Sequence, residues 1–275
     1  MLTENIIGEM WPHGDAKIPG LIDGIGGAAR TIFSKYSLTS DLLVAHAMAQ
    51  FSHECDAGNE VVENLNYSAQ GLINTWPKRF NASNAAAFAY DQQKIANEVY
   101  NGRMGNRVGS DDGWNFRGRG GSQVTGREGY DKLGQTIGLN LIDNPELVND
   151  PKHFLECAVA DFIICGCLTF ATQDDVSGVT YHLNGGYIGL PDRTAWLGRW
   201  KAALSLGTQS SPAHGTAWLQ QSLNKLGTEP PLIVDGSFGP TTLAALIEFQ
   251  QGHGLQAGGK LDPQTIASIE HALAA

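Results

Sequence analysis

The sequence predicts a mainly α-helical protein with a large N-terminal domain that contains a cleft, and a small C-terminal bundle of three helices. Apolar residues recur at helical spacing along most of the chain, strand-like alternation is scarce, and a Gly-rich irregular segment spans residues 101–129. A chain of 275 residues with 42% hydrophobic residues can bury one large core and one small one.

The first well-marked helix is expected to begin near residue 41. Ser40 can cap its N-terminus, Asp41 suits its first turn, and residues 42–51 follow with apolar positions at helical spacing. Pro145 and Pro151 are expected to precede or open later helices, because a proline in the first helical turn loses no backbone hydrogen bond.

A stretch of small and polar residues with Pro and Gly predicts a linker at 206–216. The linker divides the chain into a domain at 1–205 and a second domain at 217–275. In the second domain a Gly turn twice precedes a proline that opens an apolar-periodic helix, at Pro240 and at Pro263. Together with the helix that follows the linker, these make a bundle close to the lower size limit for independent folding.

Charge and hydropathy exclude several classes of protein. The formal net charge of -10 argues against a nucleic-acid-binding protein, which usually carries a basic face. No apolar run approaches the roughly 18 residues of a membrane helix, so no stable membrane insertion is expected. Residues 1–5 show no basic region followed by an apolar stretch, so no signal peptide is visible.

Four cysteines in a chain this long favour free thiols over a disulfide framework.

Two carboxylates stand out as candidates for acid–base chemistry. Glu54 closes an apolar helical run, so we expect it at a helix end beside buried surface, where desolvation favours the protonated form that a general acid needs. Glu63 would point to the opposite side of one continuous helix, but the turn-forming residues 56–59 break that helix. The bend lets the two carboxylates face each other across a cleft, the arrangement that glycoside cleavage requires.

The same region contains the beginning of a zinc-protease pattern. His53 and Glu54 would need a second histidine at position 57, which is Ala57. Cys165 and Cys167 lack the second ligand pair of a structural zinc site. The sequence therefore indicates no metal.

Five segments follow one another in a recognisable order: His53-Glu54, residues 63–69, residues 113–127, Asn184-Gly185-Gly186, and residues 189–193. In this order they resemble glycoside hydrolase family 19, in the form carried by phage endolysins, and they span most of residues 40–202. The resemblance implies a lysozyme-like helical catalytic domain with a substrate cleft and no cofactor.

The resemblance also implies a role for each matching residue. Glu54 matches the general acid that protonates the glycosidic oxygen. Glu63 matches the general base that activates a water for attack on the opposite face, with inversion, and Thr125 matches a hydroxyl that holds this water. Three further positions match residues that line the sugar-binding cleft: Gln123, Asn184 and Arg193.

Several candidate substrate-binding residues keep a structural alternative. His53 is expected to be either a structural residue or a residue on the substrate side of the cleft. Tyr67 and Trp114 are suited to stacking on sugar rings, or to packing in the core. Arg193 is either a ligand contact or the partner of Asp192 in an ion pair.

At the C-terminal end, residues 218–227, residues 234–242 and the pair Phe249-Gln250 resemble the peptidoglycan-binding domain of many wall hydrolases. Phe238 and Phe249 are expected in the core of this domain. The resemblance points to the turns and polar groups around three residues as the wall-binding site: Asp235, Ser237 and Gln250.

The leading hypothesis is a monomeric endolysin that cuts the β-1,4 bond between N-acetylmuramic acid and N-acetylglucosamine in bacterial peptidoglycan. It would accumulate in the host bacterial cytoplasm before release to the periplasm and cell wall. The first alternative is a chitinase, although plant chitinases of the family carry a Glu where this chain has Ile188. The second is a non-catalytic wall-binding protein, against which the intact pair of Glu54 and Glu63 argues.

Overall fold

The computed structural model describes residues 2–207, 214–236, 238–259 and 261–274, and within these ranges the chain forms α-helices and no named strand. The helices are α1 Glu4–Met10, α2 Leu21–Lys35, α3 Asp41–Glu54, α4 Ala69–Thr75, α5 Gln92–Tyr100, α6 Asp112–Asn115, α7 Arg127–Ile137, α8 Phe154–Ile164, α9 Cys167–Thr172, α10 Val176–Asn184, α11 Leu190–Gly207, α12 Thr216–Lys225, α13 Pro240–Gly252 and α14 Pro263–Ala274. The prediction of a mainly α-helical fold is confirmed.

Helix α3 is the central element of the larger unit. As expected, the Ser40 side chain caps it by accepting a hydrogen bond from the Leu43 backbone N–H at 3.3 Å. All residues from 43 to 52 are buried. Near its C-terminal end, the Ser52 hydroxyl accepts hydrogen bonds from the indole N–H groups of Trp11 and Trp200, each at 2.8 Å. One buried oxygen thus joins α3 to the C-cap of α1 and to α11.

Three apolar clusters support the cleft of this unit. The largest surrounds α3, a second lies between α7 and α8, and a third lies around α4 and α5. The cleft is lined by Val62 beside the first cluster, Val124 of the second, and Tyr67 and Tyr100 beside the third. The cleft therefore lies where the three clusters meet, and its walls are irregular segments held by packed helices.

The C-terminal helices α12, α13 and α14 enclose a core of their own, which includes Phe238, Leu246 and Ile269. Pro240 and Pro263 open α13 and α14 as predicted. One residue of α11, Ala202, also belongs to this core. Helix α11 continues to Gly207, two residues into the predicted linker, of which residues 208–213 lie outside the described residues.

The four cysteines are free thiols, three of them buried, as the sequence predicts. Pro145 opens a short 3-10 helix, Pro145–Asn149, rather than an α-helix. None of the helices in the described part of the chain is long and apolar enough to cross a membrane.

Candidate active site

Glu54 is the last residue of α3, as predicted, and an arginine from α11 holds it there. Arg193 Nη2 donates to Glu54 Oε1 at 2.6 Å. The same guanidinium donates to the side-chain oxygen of Gln50 and, through Nε, to the Ile188 carbonyl at 3.1 Å. The Glu54 side chain is 14% exposed and the Arg193 side chain only 1% exposed. Arg193 thus fixes the carboxylate of Glu54 from behind.

The position of Arg193 corrects its expected role. Its side chain is buried and does not line the cleft, so it is not placed to contact a sugar. It does not pair with Asp192 either, because that carboxylate pairs with His53 Nδ1 at 2.6 Å. The chain uses Arg193 to orient Glu54.

A sharp chain reversal follows α3, as the turn-forming residues predict. Asp56, Ala57 and Gly58 have positive φ values of 45°, 50° and 89°. Gly58 packs against the backbone of Gly14, where a Cβ would lie 2.8 Å from the Gly14 Cα. The reversal turns the chain back along the wall of the cleft, towards Glu63.

Backbone pairing with the Gly-rich segment fixes Glu63. Its N–H donates to the Gly118 carbonyl at 2.9 Å, and the Gly120 N–H donates to the Val61 carbonyl at 3.0 Å. The Glu63 carboxylate accepts hydrogen bonds from the Tyr100 hydroxyl and from the Gly118 N–H, the latter at 3.3 Å. Both partners are donors, so the Glu63 carboxylate acts here as a hydrogen-bond acceptor, the role it would also need towards a water.

Tyr100 is a site residue that the sequence did not predict. It lies on α5, 37 residues after Glu63, and no spacing pattern connects the two. Burial, followed by the nearby charge of Glu63, raises the pKa of Tyr100 above its ordinary value, so its hydroxyl stays a hydrogen-bond donor. The only signal for it was an aromatic residue with a polar group on a helix next to the predicted cleft.

Gly118 provides the space between Glu63, the predicted base, and Thr125, the predicted water-holding hydroxyl. A Cβ at this position would lie 2.8 Å from Gln123 Oε1, 3.3 Å from Glu63 Cβ and 3.4 Å from Thr125 Oγ1. Glu63, Gln123 and Thr125 therefore converge on one point. The Thr125 hydroxyl donates to the Gln123 carbonyl at 2.8 Å, which leaves its lone pairs directed to another donor.

The two carboxylates line one cleft of about 900 Å³. Four other sequence-predicted residues line it with them: Tyr67, Gln123, Thr125 and Asn184. Its lining includes the carboxylates of Glu54, Glu60, Glu63 and Asp161, and no lysine or arginine from the described residues. Such a cleft suits an uncharged polar ligand better than an anionic one.

Two predicted substrate-binding residues besides Arg193 lie outside the cleft lining. The ring of His53 is engaged by Asp192 and covered by Gly189, whose added Cβ would overlap it, so His53 has the structural role. Trp114 packs against the cluster around α4 and α5, and Arg117 stacks on its ring at 3.6 Å. For both residues the structure favours the structural alternative over a sugar contact.

The predicted wall-binding residues separate into three cases. Gln250 is fully buried, donates to Thr265 Oγ1 at 3.1 Å and accepts from the Gly259 N–H at 2.9 Å, so its role is structural and the expectation is corrected. Asp235 is exposed and accepts from Gln220 Nε2 at 2.9 Å, so its wall-binding role stays a prediction. Ser237 lies outside the described residues.

Asp161 is a further ionisable residue that the sequence reasoning did not single out. It lies on α8 and lines the cleft. Its carboxylate is hydrogen-bonded to the side chains of Ser122 and Cys165. Burial raises the pKa of Asp161 to about 6, although the hydrogen bond with Ser122 acts in the opposite direction. Asp161 lies within an apolar helical run, and no catalytic spacing pattern includes it. The sequence therefore gave no signal for this residue.

The raised pKa of Asp161 predicts a pH-dependent contribution to stability. Between its ordinary pKa of 3.8 and its folded pKa of about 6, the folded protein binds a proton that the unfolded chain has released, so stability falls as the pH rises through this range. Asp161→Asn stays neutral and should be more stable than the wild type above pH 6, by about 3 kcal/mol. Urea unfolding from pH 4 to 8 measures the difference. The exposed Asp131→Asn is the control, and identical pH profiles for the two variants would contradict the assignment.

The comparisons with known proteins identify the family of the chain. Residues 32–164 match the family model for chitinase class I, glycoside hydrolase family 19, and residues 214–269 match a model for a peptidoglycan binding domain. A glycosyl hydrolase family 19 domain-containing protein of Haemophilus influenzae is 30% identical over 196 residues, which cover 70% of this chain and 92% of that protein. An acidic 27 kDa endochitinase of Solanum lycopersicum is 50% identical over 46 residues, 17% of each chain. The chain therefore belongs to glycoside hydrolase family 19, as a chitinase-like glycosidase with a peptidoglycan-binding domain at its C-terminal end.

Proposed function

We propose that the protein hydrolyses the β-1,4 bond between N-acetylmuramic acid and N-acetylglucosamine in bacterial peptidoglycan, by an inverting acid–base mechanism. The observation that carries the proposal is the convergence of Glu54, Glu63 and Thr125 on one cleft, in a chain that also contains a peptidoglycan-binding domain. Its role as a phage endolysin, with release from the host cytoplasm to the wall, stays a prediction from the sequence.

In this mechanism Glu54 donates a proton to the glycosidic oxygen as the bond breaks. Arg193 occupies Oε1 of Glu54, so the transferred proton belongs on Oε2. A side chain held by a buried partner keeps that proton directed into the cleft. Orientation of this kind is part of what a general acid contributes to the rate.

Glu63 and Thr125 position the attacking water on the other side of the sugar. The Thr125 hydroxyl donates a hydrogen bond to the Gln123 carbonyl, so its oxygen is left to accept one hydrogen of the water. Glu63, itself held by Tyr100 and Gly118, accepts the other hydrogen. With both hydrogens engaged, a lone pair of the water faces the anomeric carbon. Inversion by this route needs carboxyl groups roughly 6.5–9.5 Å apart.

Chitin is the second candidate substrate, and two observations favour it. The family model is that of class I chitinases, and the cleft has no described cation to meet the carboxylates of wall peptides. The C-terminal domain favours peptidoglycan instead, because a wall-binding module concentrates the enzyme on its substrate.

Digestion of purified sacculi and of chitin side by side, followed by mass spectrometry of the fragments, tests the proposal. Fragments that end in a reducing N-acetylmuramic acid support it. Anhydro ends would indicate a lytic transglycosylase, and release of chito-oligosaccharides with intact sacculi would indicate a chitinase. Absence of cleavage in both would leave a non-catalytic wall-binding protein.

The C-terminal helices should bind the wall without the catalytic unit. We expect residues 214–275 to fold around their own core, as checked by circular dichroism, and to co-sediment with sacculi. The matched control is Glu54→Gln truncated after residue 207, which should remain mostly in the supernatant. If folded 214–275 stays in solution, the tail does not have the proposed role.

A further inference from the structure

Two exposed tyrosines lie beside the Glu54 side of the cleft. Tyr181, on α10, is 49% exposed, and Tyr187, in the loop after α10, is 58% exposed. Their ring centroids lie 5.3 Å apart with an angle of 40° between the ring planes. We call this pair the tyrosine platform. Exposed aromatic pairs are unusual enough on a soluble surface to suggest a ligand.

The platform is supported on both sides. On the loop side, Arg193 donates to the Ile188 carbonyl at 3.1 Å, and Gly189, with a φ of 74°, packs against the His53 ring. On the helix side, the Tyr181 ring contacts the ring of His182 at 5.9 Å between centroids. The same buried arginine that orients Glu54 therefore also fixes the loop that carries Tyr187, and the platform keeps its position relative to the catalytic acid.

His182 extends this support into the protein. Its ring lies 4.4 Å from that of Phe170, and its Nδ1 lies 3.1 Å from the Cys165 carbonyl oxygen, at hydrogen-bond distance. A surface with these contacts is already ordered before any ligand binds. Binding to it therefore costs little conformational entropy.

The platform continues the cleft along the chain. Leu183 and Asn184, which lie between the two tyrosines in sequence, both line the cleft together with Glu54. A glycan strand is longer than the few sugars that contact a pair of catalytic carboxylates, so it must leave the cleft over its rim. At this rim the strand meets the rings of Tyr181 and Tyr187, and the loop after α10 has no charged residue. Such a surface suits the apolar face of a pyranose ring.

We propose that Tyr181 and Tyr187 form an outlying subsite that stacks on a sugar ring of the glycan strand beyond the units held between Glu54 and Glu63. This subsite depends on one part of the proposed function, namely that a β-1,4-linked amino-sugar strand binds in the cleft. Stacking on the ring face does not read the lactyl group, so the platform would bind strands from peptidoglycan and from chitin alike.

The test uses the full chain with the double substitution Tyr181→Ala and Tyr187→Ala. The substrates are a tetrasaccharide and an octasaccharide, each prepared both as peptide-free peptidoglycan glycan and as chitin oligomer. We expect KM for the octasaccharide to rise roughly tenfold with kcat unchanged, and KM for the tetrasaccharide to stay as in the wild type. Tyr187→Trp keeps a ring at the platform and should retain tight binding of the octasaccharide. Tyr90→Ala removes a tyrosine of 67% exposure that does not line the cleft and should change neither KM.

Binding measured by calorimetry in a Glu54→Gln background gives a readout independent of turnover, and the octasaccharide should again lose about tenfold in affinity. Equal loss for the tetrasaccharide, or no loss for either length, would overturn the subsite. Cleavage of the chitin strands alone would refute the proposed muramidase activity, while the effect of length on the chitin octasaccharide would still decide for or against the platform.

Discussion

Glu54→Gln is expected to lower kcat on peptidoglycan by roughly 10³-fold, because the amide has no proton to transfer to the glycosidic oxygen. The amide oxygen can still accept the hydrogen bond from Arg193, so the end of α3 and the loop after α10 should keep their positions. The thermal midpoint and co-sedimentation with sacculi should therefore stay close to those of the wild type. Release of reducing ends from purified sacculi measures the loss.

Glu60→Gln is the matched control for this variant. Glu60 also lines the cleft, but it is exposed, and we assign it no part in the chemistry. We expect activity within a few-fold of the wild type. Near-normal lysis by Glu54→Gln, or equal losses in both variants, would refute the assignment of Glu54 as the acid.

Arg193→Met should cause the second large effect, on stability and activity together. The substitution removes the partner of Glu54, Gln50 and the Ile188 carbonyl in a buried position. Loss of one member of a buried ion pair leaves a charge without compensation, so we expect the free energy of unfolding to fall by about 3 kcal/mol. Urea denaturation at neutral pH measures it, and the reducing-end assay below the unfolding transition should show a separate loss of kcat.

Two further substitutions separate the role of the buried Arg193 from the loss of any arginine. Arg193→Lys keeps the charge but lacks the planar guanidinium that reaches three acceptors. The free energy of unfolding of this variant should therefore lie between those of Arg193→Met and the wild type. Arg30→Met removes an exposed arginine and should leave the unfolding free energy almost unchanged. Equal destabilisation by the substitutions at 193 and at 30 would contradict the role of the buried arginine.

Local signals in the sequence predicted much of the catalytic segment. The cap at Ser40, the helix end at Glu54 and the reversal at 56–59 depend on neighbouring residues, and all three are confirmed. The same is true of Pro240 and Pro263, which open helices in the C-terminal unit. Local chemistry of this kind is readable because capping and turn formation involve groups only a few residues apart.

The partners of the two carboxylates could not be read in the same way. Tyr100 reaches Glu63 across 37 residues, and Arg193 reaches Glu54 across 139, so no spacing rule connects them. The resemblance to a peptidoglycan-binding domain pointed to Gln250 as a binding residue, yet its side chain satisfies buried polar groups of Thr265 and Gly259. A polar side chain has the same pattern in sequence whether it meets a ligand or a buried backbone group.

The hydroxyl of Ser52 restrains the helix that carries Glu54. Because Trp11 after α1 and Trp200 of α11 both donate to this oxygen, α3 cannot shift relative to either neighbour without breaking an indole hydrogen bond just before Glu54. Glu54 thus lies at the end of a buried helix that is tied to two neighbours. Glu63, on the opposite wall, is held by hydrogen bonds to the Gly-rich segment and to Tyr100, so we expect any adjustment to a bound strand on that wall.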